Sequence, residues 1–152
     1  MHNSNFLRLN RNVNSILSVL LLLFSGVAMS EVYKEGQYWA YDARDQDEGA
    51  YVLINKIESH EKLGKIFHIS FFNVKVKNPM ISGGFSKELP HSPVSKEALD
   101  KSVTRLLGTK PENPDYLGGY KTWKEAFDAG KAGVFTMELR DIVDGVEQAI
   151  NH

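Results

Sequence analysis

Three kinds of apolar spacing follow one another along the 152-residue chain. The first is an unbroken run. Residues 16–24, ILSVLLLLF, are apolar with one serine among them, and no charge interrupts residues 12–30. From residue 37 the spacing changes to alternation, the period of a strand. Residues 37–44 (QYWAYDAR) set Trp39 and Tyr41 on one face and Tyr38 on the other, and residues 50–58 (AYVLINKIE) are rich in β-branched side chains. The longest strand candidate is residues 65–77, KIFHISFFNVKVK. Phe67, Ile69 and Phe71 share a face, after which Phe72, Val74 and Val76 carry the pattern, so a β-bulge is expected near Phe71 and Phe72.

The third spacing is helical. Ser95 is a good N-cap for a helix reaching about Leu107, with Leu99, Val103, Leu106 and Leu107 on one stripe and Gly108 ending it. Tyr120, Trp123 and Phe127 mark a second helix over residues 120–129, with Thr122 and Glu125 as a capping box and Gly130 at the C′ position. Leu139, Ile142, Val143, Val146 and Ile150 give the cleanest amphipathic helix. Residues 78–93, NPMISGGFSKELPHSP, hold three prolines and a glycine pair, so an irregular loop is expected there, with at most a brief extended piece at 85–89. Residues 134–137 suggest a short fourth strand. The pattern predicts an α+β fold: a curled antiparallel sheet of three to four strands with three helices packed on one of its faces.

The unpatterned run has its own meaning. Arg8 and Arg11 precede it and Ala28-Met29-Ser30 follows, which is the layout of a secretory signal peptide cut after Ser30 or, alternatively, after Ala28. The other reading is an uncleaved anchor, but Asn12, Asn14, Ser15, Ser18 and Ser25 dilute the interval, and its strongly apolar core is about half of the ~20 residues a bilayer span needs. The expected organisation is a signal peptide over residues 1–30 and one globular domain over 31–152, exported to the periplasm or the medium, without membrane insertion after cleavage. A two-membrane envelope is assumed in the word periplasm. After Ser30 the chain carries sixteen basic and nineteen acidic residues, a net charge of −3 that makes nucleic acid an unsuitable partner. It has no cysteine, so neither a disulfide nor a lipidated N-terminal cysteine is available, and packing must hold the fold.

Motifs that name a reaction are missing. His60-Glu61 opens like a zinc-protease signature, yet Gly64 stands where the second histidine belongs. Asp45, Asp47 and Glu48 resemble a calcium loop only in part, since Gly49 comes one place early and Lys56 occupies the position of the bidentate glutamate. A solvated acidic hairpin tip is the simpler expectation. No nucleophile elbow, dinucleotide loop or P-loop is present, and no cofactor or metal site is expected. His68, mid-strand opposite Phe67 and Ile69, and His91, between Pro90 and Pro93, could share a proton or bind zinc if the fold joined them, though a sheet histidine and a separate loop histidine is the plainer expectation. The aromatics Tyr38, Trp39, Tyr41, Tyr120, Trp123 and Phe127 could line a pocket, but their spacing is also that of a core, with Trp39, Trp123 and Phe127 mostly buried. Lys75, Lys77 and Lys87 read as a solvated stripe.

The segments GQYWAYDAR, VLINKIE, KIFHISFFNVKVKNP, PHSP and GYKTWKEAFDAGKAGVF together resemble a family of small uncharacterised exported bacterial proteins with no assigned activity. The resemblance carries no functional residues over. It implies that residues 119–135 form a unit of helix, glycine stop and short strand. The function expected is a non-enzymatic binding or interaction module, such as an inhibitor or immunity-type protein of another envelope protein. A small-ligand binder is the alternative, with Tyr38, His68, His91 and Tyr120 as candidate ligand-binding residues; a hydrolase using His68 and His91 is the second alternative. No catalytic residue is assigned.

Overall fold

The computed structural model describes residues 32–152, and Tyr33–His152 forms one compact unit. The expected signal peptide lies outside the described residues. The strands are β1 (Gln37–Tyr41), β2 (Tyr51–His60), β3 (Gly64–Lys77), β4 (Phe85–Ser95) and β5 (Val103–Thr109), and the helices α1 (Lys96–Ser102), α2 (Tyr116–Asp128) and α3 (Leu139–Ile150). All five strands form one antiparallel sheet in the order β4-β3-β2-β1-β5. The fold is α+β, with five strands where three or four were expected.

The extra strands come from two stretches whose local signals pointed elsewhere. The expected loop at 78–93 is a turn at 78–84 followed by β4, which runs through Pro90 and Pro93. Proline cannot donate to a ladder, and β4 is an edge strand, where that loss is tolerated. The expected helix from Ser95 to Leu107 stops at Ser102, and Val103–Thr109 instead pairs with β1. Ser95 is the N-cap as expected, its Oγ accepting from the Ala98 N–H at 3.1 Å. Gly108 does not end a helix. It lies in β5 at φ 149°, where a Cβ would stand 3.1 Å from the Tyr38 ring.

α2 starts a turn earlier than expected and contains Gly118 and Gly119. No capping box forms, because Thr122 Oγ1 donates to the Gly118 carbonyl within the helix. Its C-terminus does end as expected. Gly130 takes φ 71°, and the N–H groups of Gly130 and Lys131 reach the carbonyls of Phe127 and Ala126, a Schellman closure. Residues 134–137 are not a strand; Phe135 makes a single parallel bridge to Val94.

The helices do not share one face of the sheet. Leu99 of α1 and Leu139, Ile142 and Val143 of α3 join Val52, Ile54, Phe67, Ile69 and Phe71 in the apolar core. The rings of α2 instead meet His68, on the opposite face. β3 keeps its apolar side inward because the phase slips at Asn73, at φ 57°, one residue later than expected, so that Phe71 is followed by Val74 and Val76 in the core. Phe72 faces the other way and stacks on Tyr51. Of the aromatics expected in the core, Trp123 is buried, whereas Trp39 and Phe127 are half-buried.

The acidic tip is a correction too. Asp45 and Glu48 are exposed, but Asp47 is fully buried in the 3-10 turn Asp45–Asp47, paired with buried Arg44 at 2.6 and 3.1 Å. Asp47 also accepts the Lys75 N–H, while Arg44 reaches Asp144 and Glu147 of α3 at 3.0 and 3.3 Å. A buried carboxylate is tolerable only when so paired. Lys75, Lys77 and Lys87 are exposed, as expected.

Candidate functional site

The face covered by α2 carries a run of linked titratable groups. Alternation on β3 sends Ile66, His68 and Ser70 to this face, all buried. Lys56 of β2 stands opposite His68, and Glu58, two residues on, shares its side. His91 arrives by a bulge: Leu89 pairs with Phe71 and Ser92 with Ile69, so Pro90 and His91 together oppose Ser70. Such an extra residue re-aims the side chain that follows it. Ser70 Oγ donates to the Pro90 carbonyl at 2.6 Å and fixes the bulge.

The result is a four-member chain. Tyr120 Oη donates to Glu58 Oε1, Glu58 Oε2 lies 3.2 Å from His68 Nε2, and His68 Nδ1 lies 3.0 Å from His91 Nε2. Trp123 closes over His68, ring centroids 4.9 Å apart. The two histidine rings are nearly parallel, and Gly119 sits against the outer one so closely that a Cβ there would stand 2.8 Å from His91 Cβ. The missing side chain of Gly119 is what admits His91 beside α2.

The proton positions follow from the ionisation of Glu58 together with the hydrogen-bond partners of each ring. Burial would raise the Glu58 carboxyl, but hydrogen bonds from Tyr120 and His68 and the nearby charge of Lys56 hold it below its ordinary value. It is therefore ionised at neutral pH and accepts only. Burial pushes both histidines down, His91 to about 4 with help from the neighbouring His68. In the neutral state His68 gives its Nε2 proton to Glu58 and accepts at Nδ1, so His91 donates from Nε2 and keeps a lone pair on Nδ1. That outer nitrogen has no hydrogen-bond partner among the described residues, and it is not fully buried: the buried side-chain polar atom left unpaired among them is Tyr41 Oη, in the apolar core on the other face. Burial and the carboxylate of Glu58 raise the Tyr120 phenol well above its usual range, so it stays a donor.

A second polar network holds the entry to α2. The Asn113 backbone N–H donates to Asn55 Oδ1 at 2.9 Å and its side-chain amide to Ser70 Oγ at 3.1 Å, and Asn55 Nδ2 also donates to Ser70 Oγ at 2.9 Å. The Ser70 hydroxyl thus accepts twice and donates once.

Of the four residues singled out from sequence, His68, His91 and Tyr120 come together. Tyr38 does not join them. It packs against Tyr51, 5.3 Å away, with the Lys110 ammonium over both rings. Glu58, Gly119 and the Asn113 network were not foreseen; Glu58 reads from sequence only as one of several polar residues in the second half of β2. The His68 Nδ1 and His91 Nε2 atoms lie 3.0 Å apart, and among the described residues no group of three His, Cys, Asp or Glu side chains is placed to hold a metal ion. Among the described residues, no serine or threonine hydroxyl bonds to either histidine. Among the described residues, no helix is long and apolar enough to cross a membrane.

Compared with known proteins, the chain matches no family model, no curated relative and no solved structure.

Proposed function

We propose that this chain is an exported binding module, of the inhibitor or immunity kind, that engages another envelope protein through the tip of the β3–β4 hairpin. The observation that carries the reading is the exposure of apolar side chains there: Met80 is 84% exposed, Ile81 43% and Phe85 42%. Large apolar groups gathered on one protruding turn are a mark of an interaction surface. Phe85 also lines a groove of about 550 Å3 with Asn73, Val74, Lys75, Ser82, Gly83 and Lys87, so a partner with apolar and acidic side chains fits it. Export follows from residues 1–30 and removal after Ser30 or Ala28. That cut leaves Tyr33, whose hydroxyl bonds to Asp100, inside the mature chain. The net charge of −3 after Ser30 argues against nucleic acid as the partner. Family membership with small exported bacterial proteins belongs to the same proposal.

The test is affinity capture from envelope extract with the mature protein and a Met80→Asp/Ile81→Asp variant. A discrete partner held by the first and lost by the second supports the reading. Recovery of only abundant, nonspecific proteins by both sinks it. A hydrolytic reading is favoured by one observation, the 3.0 Å contact of His68 and His91, which would make His91 Nδ1 a base toward water. It requires that His91→Ala abolish hydrolysis of a simple ester such as p-nitrophenyl acetate while the fold is kept.

A further inference from the structure

We propose that the groove between the β2–β3 turn and α2 binds one ring of a neutral carbohydrate. The groove, about 390 Å3, is lined by Glu58, Ser59, His60, Ile66, Lys124 and Phe127. His60 turns Nδ1 back to accept the backbone N–H groups of Lys62 and Leu63 at 3.2 and 3.1 Å. In the neutral ring the proton therefore stands on Nε2, a donor with no partner among the described residues. Glu58 supplies the acceptor: its oxygens take Tyr120 and His68 yet keep further lone pairs, and 24% of the side chain is open. Lys124 gives one proton to Asp128 at 2.6 Å and has two more to offer. Phe127 is the apolar wall, stacked on Trp123 at 4.5 Å and roughly perpendicular to the His60 ring, 5.4 Å away.

The ligand class follows from these groups together. Lys56 and Lys124 offset Glu58 and Asp128, so the groove selects neither an anion nor a cation. It offers donors and an acceptor side by side with an aromatic wall. A ligand without charge, whose groups both donate and accept and whose ring has an apolar C–H face, is a sugar. Shallow, mostly pre-formed clefts with a few placed polar groups are the usual form of such sites. Glu58 is also the inner end of the histidine chain. A hydroxyl bonded to Glu58 competes with the His68 Nε2 proton, so occupancy of the groove is felt at His91.

The test uses the mature protein carrying Trp39→Phe, which leaves Trp123 as its sole indole. It is titrated with glucose, N-acetylglucosamine and maltose, and with sodium acetate and methylammonium chloride as charged controls. A saturable change in Trp123 fluorescence is expected with at least one sugar and with neither salt. Phe127→Ala and His60→Ala should each weaken it roughly tenfold or more with the circular dichroism unchanged. At saturation the imidazole 15N resonances of His68 and His91 should move. No saturable response to any sugar by the folded protein, an affinity indifferent to both substitutions, or a stronger response to the salts overturns the proposal. Its failure leaves the hairpin-tip reading intact, because the groove and the tip share no residue.

Discussion

The two faces of the sheet are built from the same strands and differ in what alternate residues do. Under α1 and α3, Val52, Ile54, Phe67, Ile69 and Phe71 make an apolar layer, and at its margin the buried pair Arg44 and Asp47 is linked outward to the partly exposed carboxylates Asp144 and Glu147. Under α2, the intervening residues Asn55, Glu58, His68 and Ser70 are polar, and the chain through Glu58 and His68 ends on His91, whose Nδ1 has no partner among the described residues. The first face stabilises the fold, and the second is ordered by it. Burying a polar group without a partner costs about 1–3 kcal/mol, so a polar layer persists only where nearly every atom is satisfied. On the α2 face the exception lies at the surface, where water or a ligand can complete it.

If this division is right, substitutions should sort by face. Phe71→Ala should cost the most, about 3–5 kcal/mol in urea unfolding, by opening a cavity in the apolar layer. Arg44→Ala should come close, at about 3–5 kcal/mol, because it strands buried Asp47 without a counter-charge. A cost under ~1 kcal/mol would mean that water enters the cluster and that the faces are less distinct than described. Gly119→Ala should cost about 1–3 kcal/mol by pushing the helix off His91, and it should move the His91 imidazole resonances while the core resonances stay.

The smallest effect is the dependence on pH. Both histidines titrate lower in the folded chain than in the unfolded one, so between ~6.5 and the His91 value of about 4 the unfolded state binds more protons. Stability is full above that window and falls as pH drops through it. Solvent screening at half-buried His91 leaves about 1–2 kcal/mol of effect. His91→Gln should flatten the decline measured by thermal melts from pH 7 to 4. An unchanged slope would assign the loss to other groups.

Elements whose signal is local were legible in the chain. The β1–β3 meander, the Ser95 cap, the Gly130 stop and α3 all follow from alternation, capping chemistry or helical spacing. β4 was hidden because its prolines argue against a strand, and only its place at the sheet edge makes them harmless. β5 was hidden because Leu99, Val103, Leu106 and Leu107 fit a helical stripe. Pairing with β1, a contact made far along the chain, decides otherwise. The site was half legible for the same reason. His68, His91 and Tyr120 could be singled out as residue types, but their meeting depends on the Pro90–His91 bulge and on Gly119. Asp47 was misjudged because its partner Arg44 and the α3 carboxylates are invisible to a local reading of an acidic turn.

The tethers of α2 have a consequence for how the molecule breathes. Its entry is held by Asn113 to Asn55 and Ser70, and its middle by the Tyr120 hydroxyl, which donates to Glu58 of β2. Neither tether reaches the apolar layer on the other side. α2 should therefore lift as one sub-global unit, at an opening free energy below that of the sheet and α3. In native-state amide exchange its protected amides should share one energy. The same event should bare the inner histidine, so that a single rare opening sets the rate at which solvent protons reach His68.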